Sequence, residues 1–185
     1  MALYYLMSQL PSLDGISENM PLPITEERFL ELCSDSLSKN TMAELQNLSL
    51  LPSKIPENSK SNLINSWNGG ERNLRLCLAK IRADKMNKSY DAENKSFPLP
   101  LIQAAGIAAQ MESPMEAEKF LNNYRLSFLE SLRPLDNFTE DSLYYYWLKL
   151  KLLLRIRQFD KESGETAYRN IYNSIVGGDS VEAIQ

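Results

Sequence analysis

An all-α bundle is the fold this sequence predicts, and three observations carry the prediction. Apolar residues recur at spacings of three and four, not two. Proline, glycine and polar clusters fall at 11–23, 51–60, 87–100, 112–114, 134–138 and 177–185, cutting the chain into about seven helix-length segments. No strand-like alternation flanks a tight Asn-Gly or Asp-Gly turn, and Asp14-Gly15 stands alone. The chain has 185 residues, 43% hydrophobic and 24% charged. That suits a single domain over 1–185 with its own core, ending in a frayed tail at 177–185.

The elements follow in order. In "ITEERFLELCSDSL" Thr25 is a natural N-cap, Glu26 and Glu27 suit the positive end of the helix dipole, and Phe29, Leu30, Cys33 and Leu37 share a face. "TMAELQNLSL" opens with Thr41 and has Glu44 at the capping-box position, with Pro52 beyond. In "SNLINSWNGGERNLRLCLAKIRADK", Leu63, Trp67, Gly70, Leu74, Leu78 and Ile81 keep one helical phase through Gly69-Gly70. A turn would reset that phase, so one long helix is expected, with Gly70 on the packed face admitting a neighbour. A kink at the glycine pair is the alternative. An alanine-rich helix runs from about Leu101 to Met111, where Ala104, Ala105, Ala108, Ala109 and Gly106 give a low profile. Ser113, Pro114 and Glu116 mark the start of the next helix, whose stripe is Ala117, Phe120, Leu121, Tyr124, Phe128 and Leu132. Thr139 with Glu140 and Asp141 opens the following one. The last, roughly 165–176, places Ala167, Tyr168, Ile171, Tyr172 and Ile175 on one side before Gly177.

The segment "SLYYYWLKLKLLLRIRQF", 142–159, is apolar around its whole circumference. Such a helix belongs at the centre of a bundle, so a buried rod near 139–160 is expected. Its four cations then need explaining. Lys149 and Lys151 can lay their stems on apolar surface and extend the ammonium to the rim. Arg155 and Arg157 diverge in projection, so at least one must be flanked by neighbours and paired, with Glu27, Glu31 or Glu130 as available carboxylates. The same Tyr144, Tyr145, Tyr146 and Trp147 are also residue types enriched where proteins meet partners.

Catalytic groups are scarce. There is no histidine, which removes Ser-His-Asp and Cys-His catalysis and His-ligated metal sites. Cys33 and Cys77 are far apart, cannot form a four-cysteine metal site, and read as small buried hydrophobes. No phosphate-binding glycine loop or nucleophile elbow occurs. The carboxylate pairs in "TEER" and "FTEDS" sit in first helical turns, where the dipole explains them. Glu71 and Arg75 read as a solvated i,i+4 pair. Neither a catalytic residue nor a metal or cofactor site is assigned. A net charge of −4 argues against nucleic acid as partner. The chain lacks a signal peptide and any apolar run long enough to enter a bilayer, so a cytoplasmic protein is expected.

Three stretches together resemble a known family: "YYLMSQLPSL" with the approach to "ITEERFLELC"; "SWNGGERNLRLCLAKIRADK", with Glu71 and the triplet Asn73-Leu74-Arg75; and "FTEDSLYYYWLKLKLLLRIRQFDKESGETAYRNIYNSI". They resemble an uncharacterised bacterial family whose genes lie within V/A-type ATPase operons. More remotely, the chain is similar to the C (d) subunit of those rotary ATPases. The resemblance implies an all-α, non-catalytic part, without cofactor, that links the central stalk to the membrane rotor ring or assists its assembly. Its partners would be ATPase subunits, and it would touch the membrane only through the complex. That subunit is longer and built of repeated helical units, whereas no internal repeat is visible here. Arg75 and Arg82, on one polar face, and Tyr144, Tyr145, Tyr146 and Trp147 are the candidate partner contacts. An unrelated cytoplasmic helical interaction module or assembly factor is the alternative.

Overall fold

A computed structural model describes residues 2–16, 20–53, 59–90, 96–158 and 161–178. Among them are eight helices and no strand: α1 (Ala2–Gln9), α2 (Glu26–Ser36), α3 (Lys39–Asn47), α4 (Asn62–Lys85), α5 (Leu99–Gln110), α6 (Pro114–Ser131), α7 (Glu140–Arg157) and α8 (Lys161–Gly178). Seven match the expected segments. The eighth, α1, lies in the opening stretch, where eight residues are too few to show a period. The frayed tail expected at 177–185 lies largely outside the described residues, and α8 itself extends through Gly178.

Side-chain caps fix most of the helix starts. Thr25, Ser113 and Thr139 each accept a bond from the backbone N–H three residues on. The start of α3 differs from expectation: Ser38, not Thr41, is its N-cap. Thr41 sits inside the first turn and donates its hydroxyl to Glu140 Oε1 at 3.0 Å, so its role is tertiary. Glu44 likewise closes no capping box; its carboxylate accepts from Ser59 and from the Tyr144 hydroxyl.

The long helix is continuous through Gly69-Gly70. Gly70 faces α6 so closely that a Cβ there would lie 2.3 Å from Phe128 Cε1, while one at Gly69 would meet nothing within 4 Å. Close approach thus explains one glycine of the pair.

Two apolar clusters make the core. The larger gathers α1, α2, α3, the start of α4 and the end of α6 around α7. Within α7, Leu143, Leu148, Leu150 and Leu152 are fully buried, with Trp147 stacked on Phe29 at 4.7 Å. The rod is therefore enclosed over Ser142–Leu152, with Lys151 half-buried, and only partly covered over most of Leu153–Arg157; residues 159–160 of the expected 139–160 lie outside the described residues. The smaller cluster joins the second half of α4 to α5 and the start of α6 through Leu74, Cys77, Leu78, Leu101, Ala105 and Leu121. Ala105, fully buried, supplies the low profile on which α5 approaches α4 and α6.

Candidate functional site

The residues expected to contact a partner separate into two groups. Arg75 and Arg82 reach solvent on α4. Tyr144, Tyr145, Tyr146 and Trp147 do not: all four are less than 10% exposed. Their rings fill the core, and their polar atoms are used inside the chain. Tyr144 donates to Glu44, Tyr146 to the Pro11 carbonyl at 2.9 Å, and Trp147 Nε1 to the Leu45 carbonyl at 3.0 Å. Burial raises all three tyrosine pKa values, Tyr145 to about 12. In this fold the aromatic run is a structural seat for Pro11, α2 and α3.

Glu71 also departs from its expected place. It is 2% exposed and forms the hub of an ion network, not a solvated pair. Arg125 clasps it with two bonds, Nε to Oε2 at 3.0 Å and Nη2 to Oε1 at 3.2 Å, while Arg75 adds a third at 2.8 Å. Arg125 Nη1 continues to Asn122 and Glu118, and Glu118 accepts from Arg155 at 2.7 Å. Arg155 thus pairs with Glu118 on α6, which was not among the three carboxylates considered from sequence. The network occupies the seam between the two apolar clusters. On α4, Glu71 lies between Trp67 and Leu74; on α6, Arg125 lies between Leu121 and Leu129. A buried charge of this kind persists only when paired, so the seam fixes the register of α4, α6 and α7.

A second network lines a cavity. Beneath α1 and the loop after it lies a space of about 310 Å³, bordered by Met7, Leu10, Asp14, Arg133, Phe138 and Lys149 among others. Gly15, at φ 72°, turns this loop. Lys149 is buried at the floor and donates to Asp14 and to Glu130, each at 2.5 Å, with the Tyr145 hydroxyl at 3.4 Å. Burial alone would lower the Lys149 pKa, but the two carboxylates raise it to about 12. The hydrogen bond from Lys149 holds Asp14 below its ordinary value. Burial pushes Glu130 up, yet bonds from Lys149 and Tyr145 outweigh that and leave it lowered. Lys149 is thus a buried, ion-paired cation, not one that extends to the rim. Lys151 takes a third course: it caps the Leu48 carbonyl at 2.7 Å and lies 4.5 Å over the Trp147 ring.

At the rim Arg133 behaves differently from Lys149. It is about half exposed, touches Asp14 at 3.4 Å and Glu130 at 4.0 Å, and lies 5.8 Å from the Tyr145 ring. No cluster of His, Cys, Asp and Glu able to hold a metal ion occurs among the described residues.

The last helix presents the remaining surface of interest. Tyr168, Ile171, Tyr172 and Ile175 follow the i, i+3, i+4, i+7 spacing, and each is more than half exposed. The sequence placed these residues on one face. Among the described residues α8 makes no extensive helix–helix contact, so the stripe stays largely in solvent, with Tyr168 and Tyr172 stacked on each other at 6.2 Å.

A family model described as a protein of unknown function, DUF2764, matches residues 101–179. That stretch holds most of α5 and all of α6, α7 and α8. It therefore includes the enclosed rod, the α6 side of both ion networks and the exposed stripe. No curated protein and no solved structure matches the chain.

Proposed function

We propose that the chain is a non-catalytic structural or accessory subunit of a V/A-type rotary ATPase, docked through α8 on a helical subunit of that assembly. The observation that carries the docking is the α8 stripe. Two tyrosines and two isoleucines at this exposure present an apolar patch on the order of 500 Å². A patch of that size is within the range of the largest apolar patch on a typical monomer, which is often functional, and its spacing is that of a helix that lies against another helix. Apart from it the chain holds an enclosed rod, a seam of buried ion pairs and the local approach of Phe128 to Gly70. Such packing suits a part that works by shape. The rotary assembly is suggested by the sequence resemblance, whose third stretch runs through α7 and α8. In this reading the protein is cytoplasmic and meets the membrane only through the complex. No described helix is long and apolar enough to cross a bilayer.

The test is a native pull-down with tagged full-length chain. Recovery of central-stalk or rotor-ring ATPase subunits is expected. A variant carrying Tyr168→Ser, Ile171→Ser and Tyr172→Ser should lose them while its circular dichroism stays that of the parent. Recovery with no ATPase subunit overturns the rotary assignment. If the triple variant captures the same ATPase subunits as the parent, α8 is not the docking element.

A further inference from the structure

The cavity beneath α1 has a chemistry that a docking role leaves unused. Its floor is closed to a ligand's charge, because the Lys149 ammonium already donates to Asp14, Glu130 and Tyr145. Its rim is not. There the Arg133 fork and the Asp14 carboxylate stand side by side at 3.4 Å, both about half exposed, with the other Asp14 oxygen held by Lys149 and Arg133 4.0 Å from Glu130. The two carboxylates and two cations of the cluster cancel, so the site favours a ligand of zero net charge. One positive and one negative group at adjacent positions match a ligand whose own carboxylate and ammonium are separated by a single carbon. The walls are apolar: Met7 and Leu10 from α1 and its end, and Phe138 from the α6–α7 turn, whose ring is backed by Tyr4 at 4.3 Å. A space of about 310 Å³ accommodates one large side chain.

We propose that this cavity binds a free α-amino acid with a large apolar side chain, its carboxylate on Arg133, its ammonium on Asp14, and its side chain against Met7, Leu10 and Phe138. A ligand of this size in a half-open site should bind with a dissociation constant of the order of 1 mM. The proposal does not depend on the assembly assigned above.

Calorimetric or ligand-observed NMR titration of the full chain with L-phenylalanine, L-leucine and L-methionine tests it. Saturable binding is expected for at least one. N-acetylation or C-amidation of that ligand should each weaken it about tenfold, since each cap removes one of the two charge-assisted contacts. Arg133→Gln, at a half-exposed position, should weaken the free amino acid about tenfold and should not weaken the amidated form, whose net positive charge suits the cluster once one cation is gone. Asn137→Trp, which plugs the mouth from an exposed loop position, should abolish binding with the fold intact. The proposal is overturned if none of the three saturates, if capped and free forms bind alike, or if Arg133→Gln binds the free amino acid as the parent does.

Discussion

The adjacent glycines of α4 allow one substitution to control for the other. Alanine in place of glycine inside a helix gains about 0.8–1.0 kcal/mol of propensity, and both positions share that gain. At Gly69 nothing lies within 4 Å of the new methyl, so Gly69→Ala should stabilise the protein by about 0.5–1 kcal/mol. At Gly70 the methyl would lie 2.3 Å from Phe128 Cε1 and 2.4 Å from Cζ, against an ordinary contact that starts at 3.4 Å. The ring must move by about 1 Å or more, leaving its stack on Trp67. It has somewhere to go, since Phe128 and Gly70 both border a cavity of about 390 Å³. The cost is therefore ordinary overpacking, about 1–3 kcal/mol. Set against the propensity gain, Gly70→Ala should lose up to about 2 kcal/mol and lie about 1–3 kcal/mol below Gly69→Ala. Urea unfolding followed by far-UV circular dichroism reads this as a shift in midpoint at constant slope. Phe128→Leu in the Gly70→Ala background should recover part of the loss, with a coupling of about 1 kcal/mol or more. Equal stabilisation by the two alanines would refute the α4–α6 contact at residue 70.

Three other perturbations test the polar interior. Glu71→Ala leaves Arg125 only its Nη1 bonds to Glu118 and Asn122 and should cost about 1–3 kcal/mol, whereas Glu71→Met with Arg125→Met should recover most of it; the same urea titration distinguishes them. Asp14 and Glu130 have folded pKa values below their ordinary 3.8 and 4.5. Their contribution to stability is thus complete above those values and is lost as pH falls through the lowered ones. Lys149→Met should be less stable than the parent at neutral pH, with the gap closing below about pH 4; parallel stability profiles for the two proteins would rule this out. Burial raises the Cys33 thiol to about 12 and raises Cys77 as well. A thiol reagent near pH 8 should therefore leave both untouched in the folded protein and modify both in denaturant.

Helical periodicity made much of the fold legible, because core burial imposes it directly: seven of the helices, the continuity of α4 and the enclosure of α7 could all be read from it. The phase of α4 even singled out Gly70 as the glycine of the pair that meets a neighbour. What escaped was polar and long-range. Glu71 is in phase with Trp67, Leu74 and Leu78, and Arg125 with Leu121 and Leu129. Both therefore sat on apolar stripes, and that phase was the available signal for a buried pair. Yet which carboxylate meets which cation depends on how helices abut, and no local pattern encodes that. Asp14 offered no local signal at all, lying in a loop 135 residues from Lys149. The exposure of the α8 face had no local signal either, since an amphipathic stripe looks the same whether it is covered or left in solvent.

The polar atoms of α7 also carry a consequence for biosynthesis. Their partners in Pro11, Asp14, Thr41, Glu44, Leu45 and Leu48 lie 99–135 residues earlier in the chain. At translation rates of about 5–20 residues per second, these partners wait roughly 5–27 s for the segment that closes over them. During that interval Phe29 and Leu45 have no interior to enter. Nascent chains stalled before residue 140 should accordingly bind chaperones and resist protease poorly, and refolding of the whole protein should be slow for an all-helical domain because its decisive contacts are distant in sequence.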